Sequence, residues 1–269
     1  MIPDPFLVAD IVRAVAAEEI LPRFGHLRPD EVTIKSHPHD LVTTADVIAE
    51  RRLAEALGAL VPGSVVVGEE ACEKSPALVA ALAGDAPCWL VDPVDGTLNF
   101  AHADPRFAVI VAFCRGGETL MGWILEPVVG RLAWAAAGEG AWIDGQRLRA
   151  APSAPWGEMV GSLGFRAVKA LRKRSGARLP AKILRVGCTG LDWMDMARGA
   201  LHFAHYDRKL KPWDHAAGVL MHREAGGHAA LVADGRPYHP GAGIQEAALL
   251  GAPDRECWNA ICEEILTTG

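Results

Sequence analysis

The reading of this chain turns on Trp89-Leu90-Val91-Asp92-Pro93-Val94-Asp95-Gly96-Thr97-Leu98-Asn99-Phe100, which continues through Ala101 to Phe107. The stretch opens as a buried strand over Cys88–Val91 and closes that strand on a carboxylate, Asp92. Pro93 fixes a turn, and a second carboxylate, Asp95, follows. Two carboxylates on a rigid turn repel each other, so a chain that keeps them together usually neutralises them with a hard cation. Gly96-Thr97, opening a helical turn, offers backbone N–H groups to an anion. Metal on one side and phosphate on the other is the natural reading.

Working outward, two more acids stand where an element begins or ends. Glu69 closes the short β-branched run Ser64–Glu70, and Asp214 lies at the start of the helix Pro212-Trp213-Asp214-His215. Sites in α/β proteins are built at such ends. All four acids donate oxygen only, and no Cys or His recurs at ligand spacing beside them. That set suits Mg²⁺ or Mn²⁺ rather than Zn²⁺. Taken singly, each has a plain reading: a turn for Asp92–Gly96, a solvated strand end for Glu69-Glu70, a helix N-cap or first-turn acid for Asp214. Their joint occurrence changes the balance.

The rest of the chain supplies the frame. A helix is expected over Asp4–Phe24 with Val8, Ile11, Val12 and Val15 on one stripe, then an irregular polar segment Thr33–Asp40. A second helix spans Thr44–Leu60, and a small one Pro76–Ala83. From Phe107 to Leu148 the pattern is a β-meander. Ala150–Pro155 marks a lobe boundary, giving an N-terminal α+β lobe (1–150) with most of the metal ligands. The C-terminal α/β lobe (151–269), in which strands and helices alternate, supplies Asp214 and the substrate pocket. The last strand of that lobe is expected at Ala247–Leu250, and its last helix at Arg255–Leu266. The fold class is α/β. Trp89, Trp123, Trp134 and Trp193 are expected in the core.

The 269 residues are 50% hydrophobic, enough for a large core, and a formal charge of −6 gives no broad reason to hold nucleic acid. Six scattered cysteines without a Cys-x-x-Cys pair read as free thiols in a reducing compartment. No signal peptide or membrane-spanning run is visible, so the expected location is the cytoplasm.

Gly68-Glu69-Glu70, Asp92–Phe100, Trp213–Gly218 and Glu224-Ala225-Gly226-Gly227 together resemble the inositol monophosphatase family, Mg²⁺-dependent, lithium-sensitive phosphomonoesterases. Asp40–Asp46 and the N-terminal helices extend the resemblance over nearly the whole chain. It implies a layered αβαβα sandwich. It implies one metal on Glu69, Asp92 and the Val94 carbonyl, a second on Asp92, Asp95 and Asp214, and a third, weaker one on Glu69. Thr97 and Asp46 would orient and deprotonate the attacking water, and the amides of Gly96 and Thr97 would grip the phosphate. Two cations about 3.5–4 Å apart suit in-line attack on a phosphate monoester. No protein nucleophile is needed, in keeping with a chain that has no Ser-His-Asp pattern. A homodimer is what the resemblance suggests.

Substrate choice is where the chain departs from the family. Asp207 stands where relatives often carry an acid that binds inositol hydroxyls, with a carboxylate one methylene shorter. Gly187-Cys188-Thr189-Gly190 replaces the family's usual pocket wall, so Thr189 and Asp207 are the candidate substrate contacts. Lys35 reads either as a stabiliser of phosphate or Glu69 or as a surface lysine. The basic segment Arg166, Lys169, Arg172, Lys173, Arg174, Arg178 and Lys182, with its helix expected over Ala167–Ser175, reads as a solvated face or as a contact for a second anionic group or a partner. His37 and His39 lie in the loop before Asp40. His202 and His205, on one expected strand, would face opposite sides, and His215 and His222 share a helix face. The expected substrate is a small phosphorylated compound, inositol monophosphate or a related sugar or polyol phosphate. Histidinol phosphate, fructose bisphosphate and a 3′-nucleotide are the alternatives within the superfamily. A regulatory binding protein of RNA-processing or transcription machinery is the alternative of another class. The retained acids argue against that last reading.

Overall fold

In the computed structural model, which describes residues 2–38, 40–173 and 178–266, every residue from Cys88 to Asp95 is buried. A strand buried on both faces needs a layer on each side. His39, Arg174 and Ser175, named above, lie outside the described residues.

The chain begins with α1 (Pro5–Val15), which the Asp4 side chain caps, and a hairpin of β1 (Val32–Ile34) and β2 (Leu41–Thr43) follows. Next come α2 (Thr44–Leu60), β3 (Val65–Gly68), α3 (Glu69–Lys74), β4 (Cys88–Asp95) and α4 (Thr97–Ala101). The meander is β5 (Ala108–Arg115), β6 (Glu118–Glu126), β7 (Arg131–Ala136), β8 (Gly140–Ile143) and β9 (Gln146–Arg147). Beyond it lie β10 (Val160–Leu163), α5 (Phe165–Lys173), β11 (Lys182–Leu184), α6 (Thr189–Ala197), β12 (Phe203–Tyr206) and β13 (Lys209–Leu210). The chain closes with α7 (Pro212–Glu224), β14 (His228–Leu231), β15 (Gln245–Glu246), β16 (Leu249–Ala252) and α8 (Arg255–Leu266).

Strands β3 to β9 form a seven-stranded sheet in sequence order, antiparallel except where β3 runs parallel to β4. A five-stranded mixed sheet has the order β11-β10-β12-β16-β14. Trp89, Val91, Phe113 and Trp123 on one face of the large sheet pack on Val8 and Val12 of α1 and Leu53 and Leu57 of α2. Leu90, Ile110 and Ile124 on the opposite face pack on Trp193 of α6 and Ala217 and Met221 of α7. Those two helices are covered from the other side by Ala204 and Leu249 of the small sheet. Its far face, with Leu163, Phe203 and Leu250, holds Leu171 of α5 and Trp258 and Ile261 of α8. Five layers result, in the order αβαβα.

The middle helical layer fits because glycines remove side chains where elements meet. A Cβ at Gly218 would lie 2.2 Å from Cγ of Trp193, and one at Gly122 2.7 Å from Cα of Ala217. Helix α7 therefore presses its backbone on both α6 and the sheet.

Strand β4 runs past Asp92 to Asp95, further than expected. Asp92 pairs with Ile110 and Asp95 with Ala108, so three steps on β4 oppose two on β5, a β-bulge. In a regular strand, residues three apart face opposite sides. The extra residue brings Asp92 and Asp95 to the same face, and Pro93, with no N–H to donate, is tolerated at such a place.

Several expectations are corrected. Glu69 begins α3 instead of ending β3. Thr33 and Ile34 are in strand β1, paired with Val42 and Leu41, because the turn formers between them close a hairpin. The first helix is α-helical only to Val15, then continues as a π turn over Ala16–Ile20 and a 3₁₀ turn over Leu21–Arg23, where Pro22 cannot extend it. Pro76–Ala83 is 3₁₀. The last strand is Leu249–Ala252, shifted from Ala247–Leu250. Trp134 is half-buried on the outer surface, edge-on to Phe6. His202 precedes β12, and its Nδ1 accepts the Val160 N–H at 3.1 Å.

Gly218→Ala is expected to destabilise by about 1–3 kcal/mol or more, because Trp193 has nowhere to move. Gly58→Ala, mid-helix in α2 with nothing within 4 Å of the new Cβ, is expected to stabilise by about 0.5–1 kcal/mol. Thermal melts should separate the two variants by about 4 °C or more. Equal midpoints would show that α6 and α7 are not in close contact.

Candidate active site

The bulge, the start of α3 and the start of α7 converge. One carboxylate oxygen each from Glu69, Asp92 and Asp214 lies within 4.8 Å of the others. Glu69 is the first residue of α3, and Asp214 is in the first turn of α7, which Pro212 opens. Asp95 and Val94 line the same cavity, about 260 Å³, with Asp40, Gly96, Thr97, Gly187 and Lys211.

Each carboxylate is held differently. Asp92 Oδ1 accepts the Val94 N–H at 3.1 Å. Asp95 Oδ2 accepts the Gly190 N–H at 2.5 Å and the Cys188 thiol at 3.0 Å, and the Thr189 N–H also faces this carboxylate. The start of α6 is thus aimed at Asp95, amides and dipole together. Glu69 Oε1 accepts from Lys211 Nζ at 2.7 Å and Lys35 Nζ at 3.3 Å, and Lys35 also reaches Glu70 at 2.6 Å. Burial raises the Asp92 carboxyl well above the usual range, and repulsion from Glu69, Asp95 and Asp214 adds to this. Burial likewise raises Asp95, more than the α6 amides lower it, and raises Asp214 against the pull of Lys211. Burial opposes the charge on Lys35, but Glu69 and Glu70 outweigh it and raise that ammonium.

Thr97 stands at the mouth of this group. Its hydroxyl is 3.0 Å from the Val94 carbonyl and 3.2 Å from Asp46 Oδ1, so its one proton can go to either. Asp46 Oδ2 accepts the Thr43 N–H at 2.9 Å and the Thr43 hydroxyl at 2.5 Å. Burial pushes the Asp46 carboxyl up to about 7 despite the Thr43 hydrogen bonds. Gly96 takes φ 91°, and a Cβ there would meet Cys188 and two carbonyls at 3.3 Å. It caps α4, whose first amides have no intrahelical acceptor.

The candidate substrate contacts are less central. Thr189 opens α6 and turns its N–H to Asp95. Asp207 is exposed and lines a larger neighbouring cavity, about 1030 Å³, with Lys35, Arg208, Lys209 and Glu246. The two cavities share Asp40 and Lys211. Lys35 bonds to Glu69, which decides between its two readings. The described members of the basic segment are exposed and line neither cavity, consistent with a solvated face. His215 and His222 are core residues: burial lowers them to about 3 and about 4, and they bond to Trp193 and the Ala252 carbonyl.

Sequence reasoning missed Lys211, Glu50 and Asp192. Glu50 and Asp192 are acids on otherwise buried helix faces, and a charge at such a position is the signal that could have found them. Lys211 leaves no such trace, since a lysine before Pro-Trp-Asp looks like any surface lysine.

The fold and the site define a phosphomonoesterase scaffold with an all-oxygen acidic centre, and the comparisons agree. The model of the inositol monophosphatase family matches residues 4–265. An inositol-1-monophosphatase of Mycobacterium leprae is 35% identical over 257 residues, covering 91% of this chain and 87% of the relative. A fructose-1,6-bisphosphatase/inositol-1-monophosphatase of Thermotoga maritima is 30% identical over 222 residues, covering 78% and 80%. Among solved structures, a Thermotoga maritima IMPase superposes with TM-score 0.82 at 24% identity, covering 97% of this chain and 95% of that one. An IMPase/NADP phosphatase complexed with NADP and Ca²⁺ superposes with TM-score 0.83 at 22% identity, covering 98% and 95%. The chain belongs to the inositol monophosphatase family. It is a phosphoric monoester hydrolase.

Asp192 generates a pH prediction. It is 6% exposed, accepts the Ser162 hydroxyl at 2.7 Å, and is pushed up to about 7 by burial, more than Ser162 lowers it. An acid with a raised folded pKa stabilises the fold below its unfolded pKa of about 3.9, and that contribution is lost as pH rises toward about 7. Asp192→Asn should remove this slope, on the order of 1 kcal/mol per pH unit. The wild type should be the more stable at pH 5 and the variant should gain on it by pH 8. Parallel melting-temperature profiles would show that Asp192 does not hold its proton in the fold.

Proposed function

We propose that the protein hydrolyses a small sugar or polyol phosphate monoester, such as inositol monophosphate, with Mg²⁺ as cofactor and Mn²⁺ as a substitute. One observation carries this reading: oxygens of Glu69, Asp92 and Asp214, from three distant segments, share one small cavity with Gly96-Thr97. The donor set fits a hard cation. It is all oxygen, it is crowded with like charge, and burial raises Asp92 and Asp214 in a way that bound positive charge would reverse.

Glu69, Asp92, the Val94 carbonyl, Asp95 and Asp214 would hold two cations, with a weaker third on Glu69. Such ions polarise the phosphoryl oxygens and supply hydroxide near neutral pH. The chain's own residues orient the rest. Gly96 and Thr97 offer α4 amides to the phosphate. Thr97 Oγ1, directing its proton to Asp46 Oδ1, presents a lone pair to the attacking water. Asp46, raised to about 7, is poised to accept and return a proton through Thr97. Lys211 and Lys35 pair with Glu69 Oε1 and so aim its carboxylate.

A second reading, a substrate bearing two anionic groups such as fructose bisphosphate, is favoured by Arg208 and Lys209 in the larger cavity and by the name of the Thermotoga relative. Thr189 and Asp207 are proposed as the substrate wall. The division into lobes at 150/151, a cytoplasmic location and a homodimer are part of the same proposal. Among the described residues no helix is long and apolar enough to cross a membrane, and all six cysteines are buried free thiols. Sedimentation as a monomer at micromolar concentration would remove the homodimer.

A panel of inositol monophosphate, fructose 1,6-bisphosphate, histidinol phosphate and a 3′-nucleotide tests the reaction. Hydrolysis should need Mg²⁺, fall with Li⁺, and drop at least about 100-fold in Asp95→Asn and in Thr97→Val, which keeps the shape but loses the hydroxyl. Equal rates in EDTA would defeat the metal reading. Undiminished turnover in Thr97→Val would defeat the proton path.

A further inference from the structure

Helix α2 carries two buried acids one turn apart, Asp46 and Glu50. The reading above uses Asp46 and leaves Glu50 without a role, although Glu50 is only 7% exposed. Its Oε2 accepts the Glu70 N–H at 2.7 Å and its Oε1 accepts the Ala71 N–H at 2.8 Å. Those are the second and third amides of α3, and Glu69 is the first residue.

An isolated helix start is ordinarily capped by the side chain just before it. Here that residue is Gly68, which has none, and a Cβ at 68 would lie 2.3 Å from Glu50 Cδ and 2.4 Å from Oε2. The Glu50 carboxylate occupies the space a local cap would need. Satisfying two amides does not require a residue 20 positions away. A distant cap adds something a local one cannot: it ties the rotation of α3 to α2. Helix α3 has six residues, too few to hold its own orientation. A rotation about its axis would swing the Glu69 carboxylate away from Asp92 and Asp214.

We propose that Glu50 is a positioning residue for Glu69, gripping the first turn of α3 so that the Glu69 carboxylate is preset for a divalent cation. This rests on the reading of Glu69 as a metal ligand. With Asp46 set against Thr97 one turn earlier, a single rigid helix then fixes both the ligand side and the proton-accepting side of the site.

Direct Mn²⁺ titration by electron paramagnetic resonance or calorimetry, without substrate, tests it. The wild type should bind Mn²⁺, and Asp92→Asn should abolish tight binding. Glu50→Asp, too short to reach both amides, and Glu50→Gln, with one accepting oxygen left, should weaken Mn²⁺ binding about 10–100-fold, while kcat at saturating metal falls less than about threefold. Gly68→Ala, which displaces the carboxylate without touching it chemically, should act in the same direction. Leu53→Ala, in the core face of the same helix, should lower the melting temperature but leave Mn²⁺ affinity within about twofold, since it removes packing only. Wild-type affinity in the Glu50 variants, or an equal loss in Leu53→Ala, would overturn the positioning role and leave the metal reading standing. A wild type that takes up no Mn²⁺ would overturn the metal reading and this proposal with it.

Discussion

Glu69, Asp92 and Asp214 bring carboxylate oxygens within 4.8 Å of one another in a buried corner. At an effective dielectric of about 20, a pair of unit charges at that separation repels by about 3 kcal/mol. Three such pairs amount to about 10 kcal/mol, the size of a whole domain's stability. No fold can hold these acids ionised unless something offsets that repulsion. The surrounding arrangement answers it: two ammonium groups on Glu69, the amides of α6 on Asp95, and a proton retained on Asp46 near neutrality. Protons that burial favours on Asp92 and Asp214 also relieve it, and the proposed divalent cation would take their place.

Repulsion of this size would also push the carboxylates apart if their supports could give. The supports are stiff for identifiable reasons. Strand β4 is buried on both faces and its bulge is registered against β5. Helix α7 is wedged between α6 and the large sheet, with Gly218 and Gly122 giving up side chains to allow the approach. Helix α6 brings its N-terminus to Asp95 and its Trp193 to α7 in one element. The αβαβα layering is therefore the frame that holds like charges in place.

Much of this was legible in the chain. Apolar periodicity gave α2 and α8 to the residue, and the meander strands to within a few positions, because both faces of the large sheet are buried and the turns carry Gly and Asp. Ordered motifs pointed to Glu69, Asp92, Asp95, Thr97 and Asp214 as one group, and the structure brings them to one cavity. The bulge was not legible. A spacing of three between Asp92 and Asp95 reads equally well as a turn, and only the pairing with β5 shows an extra residue in the strand. Lys211 and Glu50 were missed for a related reason. Each acts on a group distant in sequence, Glu69 or the start of α3; Glu50 shows locally only as an acid on an apolar helix face, and Lys211 not at all.

The same contrast separates reaction from substrate. The acidic end is built from backbone and carboxylates on rigid elements: a bulged strand, two helix starts and a glycine at φ 91°. The helix starts and the glycine leave a mark in sequence, since few residue types satisfy those positions. The other end is lined by exposed, long side chains such as Arg208, Lys209 and Glu246 around a much larger space. Arg208 itself takes φ 79°, a conformation that only surrounding structure keeps in place, here with its carbonyl bonded to the Ala247 N–H and the following residues paired to β15. Exposed charges on a strained ribbon can be exchanged without disturbing the acidic corner. The exposed side chains around the larger space therefore stand apart from the acidic corner, and a change in the first leaves the geometry of the second in place.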